Sequence, residues 1–398
     1  MRLFKIPAKT GSCYLSYCFI NGSQAEPEGY KGLLHLIEHL HYRDSSSDRV
    51  DSIKKIMEGC GAVINAYTSD NAINFHCSFL PDDFNQILDC MKSIVFEKNF
   101  NDVDVDIEKQ VVVRELIDYY TNPSSAAFLG LIHKMYEDGF THVLGRKEDI
   151  LSSTPEKLNT LYDMLFANSN LLVFLTGPQE FLDKVDIKTL APEDHSLDEI
   201  PGNLKINFHK YRRPSYTEEG DSSMGTAYLR MGFMYPYHFK SNQEESYLMR
   251  TVMAICSDML GGSQVSPMFK KLREEKGYCY STGAGFSMGT KDDMFILSCD
   301  LDPQYKKDCL KTIDGLLSSF WNDKDLFDFT INKLIHQYRW LEVSGPSKVS
   351  EKIEEFTSGF KTPSEDFLRN EIPFDRFQKM IKDNDLFNPL KFSVFIRS

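Results

Sequence analysis

His35-Leu36-Ile37-Glu38-His39 places two imidazoles and a carboxylate within little more than one turn of a predicted helix. At about 100° per residue, the side chains of His35, Glu38 and His39 fall within roughly one third of the helix circumference. Two neutral imidazoles on one face can hold a metal ion, and a carboxylate between them can act as a base toward a water molecule at that metal. The HxxEH order therefore indicates a zinc hydrolase; the alternative is a surface helix that carries these side chains by chance.

Apolar side chains around this motif favour the metal site. Leu33, Leu36, Ile37 and Leu40 follow the i, i+3, i+4, i+7 spacing of a helix with one buried face. This pattern predicts a helix over residues 32–42 whose apolar stripe faces a core. The two histidines and the glutamate occupy a different face, so they do not interrupt the stripe.

The overall composition indicates a globular chain with two domains. The chain has 398 residues, of which 41% are hydrophobic and 26% are charged, and this length exceeds what one hydrophobic core usually serves. Residues 191–223 are rich in Pro, Gly, Glu, Asp and Ser, which is typical of a linker. We therefore predict an N-terminal metal-binding domain over residues 1–190, a linker over 191–223 and a C-terminal domain over 224–398.

The charge and the cysteine content restrict the partners and the compartment. The formal net charge of −13 argues against a nucleic-acid-binding surface. The nine cysteines are scattered and include no CxxC pair, which is typical of buried thiols in a reducing compartment. No run reaches the ~18 apolar residues of a membrane span, and the first residues lack a secretory signal pattern. We therefore expect a cytoplasmic protein without nucleic-acid or membrane partners.

Short apolar runs and helical periodicities alternate along both halves of the chain. The runs that predict strands lie at residues 13–20, 62–68, 72–79, 170–176, 227–235, 278–286 and 294–300. Besides residues 32–42, the periodic segments that predict helices lie at 81–95, 104–120, 244–260, 268–276, 302–321 and 323–343. The two halves show no sequence repeat, yet their order of elements is similar.

Hydrolytic zinc sites usually combine three protein ligands with a water molecule, so the two histidines need a third partner. Glu108 and Glu115 lie two helical turns apart on one face of the predicted helix at 104–120, together with Val111 and Val112. Carboxylates on a valine-rich face are costly to bury unless a cation compensates them. A metal ion is one such cation; the alternative is an amphipathic helix with solvated acids.

An HxxEH motif followed after 76 residues by a helical glutamate, with another glutamate seven residues earlier, resembles the pitrilysin/insulinase family of zinc peptidases. That family includes mitochondrial processing peptidase and insulin-degrading enzyme. The resemblance implies that His35, His39 and Glu115 are the ligands of one zinc ion per chain. It also implies that Glu38 is the catalytic base and that Glu108 is a second acid, which supports the site without ligating.

Further motifs extend the resemblance over nearly the whole chain. The segment from Gly22 to Gly32, with Glu26, matches the family's lead-in to the signature helix. The stretch at residues 65–68 matches its "NAYT" edge strand. That match implies that Asn65 and Ala66 bind an extended peptide substrate, whose backbone is added to the sheet.

In the second half, two stretches resemble the "LGG" and "LREEKGxxYS" motifs of the family's C-terminal half, at residues 260–262 and 272–281. The resemblance implies that Arg273 and Tyr280 complete the catalytic site. Tyr280 would stabilise the tetrahedral oxyanion and Arg273 would anchor substrate carbonyls. Taken alone, residues 273–277 indicate only a helix end followed by a glycine.

The resemblance implies an α+β fold of two similar domains, each a mostly antiparallel β-sheet packed with α-helices. It implies a zinc metalloendopeptidase that hydrolyses peptides or unfolded segments, such as a precursor or leader peptide, inside a clamshell chamber formed by two chains. Those chains form either a homodimer or a heterodimer with a related subunit, and Arg273 and Tyr280 act either in their own chain or on a partner's zinc site. The alternative function is that of a non-catalytic structural or peptide-binding subunit of a peptidase complex.

Two features depart from the family pattern. The family opens with an additional strand before the lead-in, whereas only 21 residues precede Gly22 here. After the signature, His41-Tyr42-Arg43-Asp44-Ser45 replaces an apolar run and Gly-Thr. His41 points about 120° away from the midline of the ligand face, which argues against a third histidine ligand.

Overall fold

The computed structural model describes residues 1–137, 142–166, 170–191, 211–220, 225–236, 243–289 and 292–397. Contacts divide the chain into two compact units, each built from three segments. Unit 1 comprises Met1–Asp118, Thr141–Ile206 and Arg339–Gly359. Unit 2 comprises Tyr119–Phe140, Asn207–Tyr338 and Phe360–Ser398.

The described residues form ten strands, which are numbered in chain order: β1 (Arg2–Pro7), β2 (Cys13–Phe19), β3 (Val63–Thr68), β4 (Ile73–Phe79), β5 (Leu171–Gly177), β6 (Tyr216–Glu219), β7 (Ala227–Pro236), β8 (Cys279–Met288), β9 (Asp292–Leu301) and β10 (Ser393–Arg397).

The same residues form thirteen α-helices: α1 (Leu33–His41), α2 (Arg49–Gly59), α3 (Phe84–Phe96), α4 (Asp102–Thr121), α5 (Pro123–Met135), α6 (Lys147–Leu151), α7 (Pro155–Leu165), α8 (Gln179–Leu182), α9 (Gln243–Gly261), α10 (Lys306–Leu317), α11 (Lys324–Leu341), α12 (Gly345–Ser358) and α13 (Phe374–Asp383). Two π-helical segments lie at Phe269–Glu275 and Phe367–Glu371.

Each unit contains one five-stranded sheet, and the two sheets have the same connectivity. The strand order is β1-β5-β2-β4-β3 in unit 1 and β6-β10-β7-β9-β8 in unit 2. In both sheets the first pair is parallel and the other three pairs are antiparallel. This arrangement confirms the predicted α+β class with two similar, mostly antiparallel domains.

Burial follows the position of a strand in its sheet. Every residue of β2 and of β5 is buried, as expected for central strands that are covered on both faces. β3, at the edge, alternates exposed and half-buried residues. The predicted strands at 13–20 and 170–176 are these buried inner strands, and the predicted strand at 62–68 is the edge strand that the family resemblance implies.

Helix α1 packs its apolar stripe into the core of unit 1. Leu33, Leu36, Ile37 and Leu40 are each at most 2% exposed, and they belong to the cluster that fills one face of the sheet. This burial confirms the predicted stripe. At about 25 cal/mol per Å² of buried apolar surface, each of these side chains contributes on the order of 2 kcal/mol of hydrophobic free energy.

One helix in each unit comes from the other half of the chain. In unit 2, α5 packs on β7 and β10, with Ala127 and Leu131 in a cluster with Phe395. In unit 1, α12 packs on β1, β2 and β5 through Val349 and Ile353. The sequence prediction of two domains, each continuous along the chain, did not include this exchange of helices. The boundaries at residues 190 and 224 remain a prediction, since most of the intervening segment lies outside the described residues.

Three elements differ from the expectations drawn from the sequence. The residues before Gly22 form two strands, β1 and β2, so the absence of the additional family strand was a wrong expectation. β6 lies inside the predicted linker and pairs in parallel with β10; its sequence, Tyr-Thr-Glu-Glu, contains no aliphatic residue that would indicate a strand. The helix predicted at 268–276 is π-helical and ends before Gly277, whose φ is 61°.

Among the helices in the described parts of the chain, none combines the length and the apolar composition needed to cross a membrane.

Candidate metal centre

The lead-in to α1 is fixed by two close approaches and one cap. At Gly22, a Cβ atom would lie 2.3 Å from backbone atoms of the turn at residues 69–71, so a larger residue does not fit. Gly32 has a φ of 92°, which favours glycine, and a Cβ atom there would lie 2.6 Å from the carbonyl oxygen of Leu144. The carboxylate of Glu26 accepts the backbone N–H groups of Gly32 (2.9 Å) and Leu34 (2.6 Å), which are among the unpaired donors at the start of the helix.

Helices α1 and α4 bring three candidate ligands together. His35 and His39 lie one turn apart on α1, and Glu115 approaches both from α4. Glu115 Oε2 is 3.2 Å from His35 Nε2 and 3.6 Å from His39 Nε2. Within the described ranges, this is the one group of three His, Cys, Asp or Glu side chains whose ligand atoms all lie within 4.8 Å of one another.

The donor set and its spacing fit a zinc ion. Bonds of about 2.0–2.1 Å in a tetrahedron place neighbouring ligand atoms about 3.3 Å apart, close to the two distances between the imidazoles and Glu115. Two imidazoles and one carboxylate also form a common protein ligand set of catalytic zinc sites, in which the fourth position takes water or substrate. The Glu115 side chain is 45% exposed, so solvent reaches the Glu115 side of the site.

The second ring nitrogen of His39 is held by Glu108. Its Nδ1 lies 3.1 Å from Glu108 Oε2, and because a carboxylate only accepts, the Nδ1–H donates. This tautomer leaves the lone pair of Nε2 directed toward Glu115 and available to a metal. Glu108 is 7% exposed, and its contacts with His39 and Arg43 hold its pKa below the ordinary value despite burial.

Glu38 lies beside the ligands without being one of them. Its Oε2 is 3.6 Å from His35 Nδ1 and accepts a 2.5 Å hydrogen bond from the hydroxyl of Thr68 on β3. Burial alone would raise the pKa of Glu38, but the interactions with His35 and Thr68 hold it below its ordinary value. The carboxyl group is therefore ionised at neutral pH and able to accept a proton.

Arg43 and Asp104 also belong to the surroundings of this centre, and the sequence reasoning did not assign them a role. Arg43 donates through Nε to Asp104 Oδ1 and through Nη1 to Glu108 Oε1, both at 3.0 Å. Residues 41–45 depart from the family pattern, and this departure includes Arg43. It did not, however, indicate that Arg43 contacts Asp104 and Glu108. His41, expected not to be a ligand, is buried and donates from Nδ1 to the carbonyl of Ile94 (2.8 Å).

A cavity of about 520 Å³ adjoins the centre within unit 1. Its lining includes Glu38, His39 and Glu108 from the site, and Asn65 and Ala66 from β3. β3 lies at the edge of the sheet, and the backbone N–H of Ala66 donates to the side-chain Oδ1 of Asn65 at 2.9 Å. The predicted substrate-binding residues therefore lie on an edge strand beside the candidate metal centre.

Arg273 and Tyr280 lie together in unit 2. The guanidinium carbon of Arg273 is 5.1 Å from the centroid of the Tyr280 ring and 4.9 Å from that of Phe269. Tyr280 is 82% exposed and lies at an irregularity of the β8–β9 pairing between Cys279 and Ser281. Their contribution to catalysis remains a prediction.

Sequence comparisons identify two consecutive family matches. Residues 6–142 match the model of the insulinase family, peptidase family M16, and residues 152–326 match the model described as the peptidase M16 inactive domain. The candidate ligands and Glu38 all lie within the first of these segments.

Several relatives are named as zinc proteases. The chain is 23% identical over 265 residues to the Bacillus subtilis protein named "Uncharacterized zinc protease YmxG", covering 65% of this chain and 61% of that relative. It is 21% identical over 279 residues to a Rickettsia felis protein named "Uncharacterized zinc protease", covering 69% of this chain and 65% of the relative. The matches thus span somewhat less than two thirds of the length of these two relatives.

Solved structures share the fold over almost the entire chain. A protease from Helicobacter pylori has a TM-score of 0.83 at 16% identity, covering 99% of this chain and 96% of that one. A peptidase M16 inactive domain from Pseudomonas fluorescens has a TM-score of 0.80 at 16% identity, covering 99% and 94%. Together with the two consecutive family matches, these similarities show that the chain belongs to the M16 (insulinase) family of peptidases.

Proposed function

We propose that this chain is a zinc metalloendopeptidase that hydrolyses peptides or unfolded protein segments. The observation that supports this most directly is the convergence of His35, His39 and Glu115 from two helices, with the carboxylate of Glu38 beside them. The zinc-protease names of the relatives support the same metal. We propose one zinc ion per chain, held by these three side chains.

Glu38 is the general base of the proposed reaction. Zinc, when bound, lowers the pKa of a water molecule toward about 7 and polarises the peptide carbonyl. Glu38 is ionised at neutral pH, and Thr68 occupies its Oε2, so its other oxygen accepts the proton as the water attacks. The same carboxyl then transfers this proton to the amine that leaves.

The proposed substrate is an extended peptide that adds to β3. An edge strand offers backbone groups to a second chain, and β3 borders the cavity next to Glu38. The N–H of Ala66, now bonded to the Asn65 side chain, becomes available to a substrate carbonyl when that side chain rotates. Such pairing selects unfolded segments, such as a precursor or leader peptide, because a folded protein rarely presents a free extended strand.

We propose that two chains together enclose the substrate in a chamber. Arg273 and Tyr280 form an exposed pair in unit 2, as residues that act on a substrate require. In a homodimer or a heterodimer with a related subunit, this pair serves either its own zinc site or that of the partner. The presence of both residues in this chain favours the homodimer.

A non-catalytic subunit of the same fold is the second candidate function. The description of the model that matches residues 152–326, the inactive domain of the family, favours it. That segment, however, contains none of the proposed ligands and not the base, since all of them lie within residues 6–142. The complete set of ligands and base therefore favours the enzyme.

We place the enzyme in the cytoplasm. All nine cysteines are free, although the Sγ atoms of Cys299 and Cys309 are only 3.6 Å apart. Scattered cysteines without a CxxC pair are typical of a reducing compartment, and this supports the proposed location.

Glu38→Gln tests the proposal. The amide cannot accept a proton, so we expect cleavage of an unfolded peptide to fall by about 10²-fold or more while zinc content, measured by mass spectrometry of the metal, stays at one per chain. Glu180→Gln, a change of an exposed glutamate on α8, is the matched control and should cleave at the wild-type rate. Absence of zinc from the wild-type protein, or undiminished cleavage by Glu38→Gln, would contradict the proposal.

A further inference from the structure

Three charged side chains behind the candidate metal centre form a continuous chain of hydrogen bonds. It starts at Asp104, which is fully buried and accepts from Arg43 through Oδ1 and from the backbone N–H of Ser45 through Oδ2 (2.8 Å). Asn101 also donates to Oδ2 of Asp104, at 2.6 Å. Asp104 is therefore held in one orientation by three donors. Through its bond to Nε it in turn fixes the orientation of the Arg43 guanidinium.

The chain continues from Arg43 to the ligand. Nη1 of Arg43 donates to Oε1 of Glu108, while Oε2 of the same carboxylate accepts from Nδ1 of His39. Each oxygen of Glu108 thus has its own partner. Oε2 bonds the candidate ligand His39, and Oε1 bonds Arg43. A carboxylate with both oxygens engaged cannot rotate about its terminal bond without losing a charge-assisted hydrogen bond.

We propose that Arg43 is a positioning residue for the metal ligand His39 and that it acts through Glu108. This inference rests on the proposed zinc function. Arg43 orients the Glu108 carboxylate, the carboxylate selects the His39 tautomer that donates from Nδ1, and this tautomer directs the Nε2 lone pair at the metal. Neither family match nor any relative's name assigns a role to Arg43 or Asp104.

The geometry requires arginine rather than a positive charge alone. Asp104 and Glu108 lie one helical turn apart on α4, and the guanidinium spans them with two different nitrogen atoms at 3.0 Å each. A lysine ammonium is a single compact charge and does not reproduce this planar fork. Removing the guanidinium also takes away the one cation that bonds both Asp104 and Glu108, which is costly for buried carboxylates even though their other donors remain.

A direct substrate contact is the competing role for Arg43. Its side chain is 35% exposed and borders the 520 Å³ cavity, so a peptide bound there could touch it. The two roles differ in what they change. A positioning residue changes zinc affinity before any substrate is present, whereas a substrate contact changes KM and leaves zinc affinity intact.

The experiment measures zinc affinity of the metal-depleted full-length protein by competition with a fluorescent chelator. We expect Arg43→Gln to weaken zinc binding by about 10- to 100-fold, as for other residues that support a ligand. The zinc affinity of Arg43→Lys should lie between those of the wild type and Arg43→Gln. Arg49→Gln is the matched control. Arg49 bonds Asp44 and the carbonyl of Ser93 but not Glu108, and its loss should change zinc affinity by less than about threefold.

A double variant tests whether Arg43 acts through Glu108. If it does, Arg43→Gln combined with Glu108→Ala should bind zinc as Glu108→Ala does alone, because without an acceptor at position 108 the connection to His39 is already broken. Additive losses in the double variant would overturn the inference, as would wild-type zinc affinity in Arg43→Gln with only KM raised. If Arg43→Gln proves unfolded by circular dichroism, wild-type zinc affinity in the folded Arg43→Lys would overturn it equally.

Failure of this inference is distinguishable from failure of the proposed function. Wild-type protein that binds no zinc would overturn both. Zinc binding and Glu38-dependent cleavage by the wild type, with zinc affinity unchanged in the Arg43 variants, would overturn the role of Arg43 alone.

Discussion

Thr68 connects the edge strand to the carboxylate of Glu38, the proposed base. Its hydroxyl on β3 donates to Oε2 of Glu38 on α1, and this bond is among the contacts that hold the pKa of Glu38 down against burial. The residues on either side of Thr68 belong to β3 and to the turn that follows it. The orientation of the base is therefore coupled to the strand on which the substrate is proposed to bind.

Thr68→Val removes this donor and keeps the shape of the side chain. A hydrogen bond to a charged group contributes about 1.5–3 kcal/mol, so we expect kcat to fall by about tenfold or more because Glu38 loses its fixed orientation. Zinc content should not change, since Thr68 contacts no ligand. Steady-state peptide cleavage measures the effect, with Thr160→Val on the exposed face of α7 as the control; an unchanged kcat in Thr68→Val would contradict the role.

His35, Glu38 and His39 could be predicted from the sequence because they share one helical turn. Glu108 and Glu115 required the family resemblance, since helical spacing alone does not distinguish buried acids from solvated ones. Thr68, Arg43 and Asp104 could not be predicted. Their bonds join residues 30, 65 and 61 positions apart, and no local pattern encodes such contacts.

Helix α1 depends on a capping carboxylate that comes from outside the helix. Glu26 lies in the lead-in, is 4% exposed, and accepts two backbone N–H groups at the start of α1. Burial raises the pKa of Glu26 to about 7, although the N–H groups of Gly32 and Leu34 and the charge of Lys31 act in the opposite direction. The helix that carries the signature thus starts at a carboxyl group that titrates near neutral pH.

This raised pKa predicts a pH dependence of stability. The folded state binds more protons than the unfolded state between the ordinary value of 4.5 and about 7, so this contribution is complete below about pH 4.5 and is lost as pH rises through 7. Raising a pKa from 4.5 to about 7 corresponds to roughly 3 kcal/mol. Urea unfolding of wild type between pH 5 and about 8 should show this decline, whereas Glu26→Gln should lack it; parallel curves for the two proteins would contradict the assignment.

Seven of the ten described strands were predicted from hydrophobic patterning, but only six of the thirteen described α-helices were. β2, β5 and α1 fall within about two residues of the expected bounds. β6 could not be predicted, because the short run Tyr-Thr-Glu-Glu gains its strand conformation from pairing with β10. β1 and β10 were missed, although both contain several apolar residues. The exchange of α5 and α12 is likewise invisible in the sequence, since an amphipathic helix does not specify which sheet it covers.

The two units repeat one strand order, and corresponding edge strands carry different functional motifs. β3 is the edge strand of unit 1 and carries Asn65 and Ala66, whereas β8 holds the corresponding edge of unit 2 and carries Tyr280. The zinc ligands occur in unit 1 and the Arg273/Tyr280 pair in unit 2. The family resemblance implies that both sets contribute to one complete site, and this remains a prediction.

Mixing two inactive variants tests whether the pair serves a partner's site. Glu38→Gln lacks the base, and Arg273→Ala lacks the anchor, so each should be inactive alone. In an exchanging homodimer whose sites are completed in trans, an equal mixture should recover about one quarter of the wild-type activity, since half of the dimers are mixed and each has one intact site. No recovery, despite subunit exchange verified by size-exclusion chromatography of differently tagged chains, would contradict completion in trans.

The exchange of α5 and α12 has a consequence for how this chain is made. Synthesis proceeds from the N-terminus, so the sheet of unit 1 exists for some time before α12 (Gly345–Ser358) has been translated. During that interval Phe4, Leu172 and Phe174, which belong to the cluster beneath α12, lack their cover and form an apolar surface. A fragment that ends in the segment between the halves would retain this surface permanently and would carry α5 without its sheet. We therefore expect that the N-terminal half would not fold as an independent module, and that gene fission or truncation at the middle of the chain would yield aggregation-prone fragments.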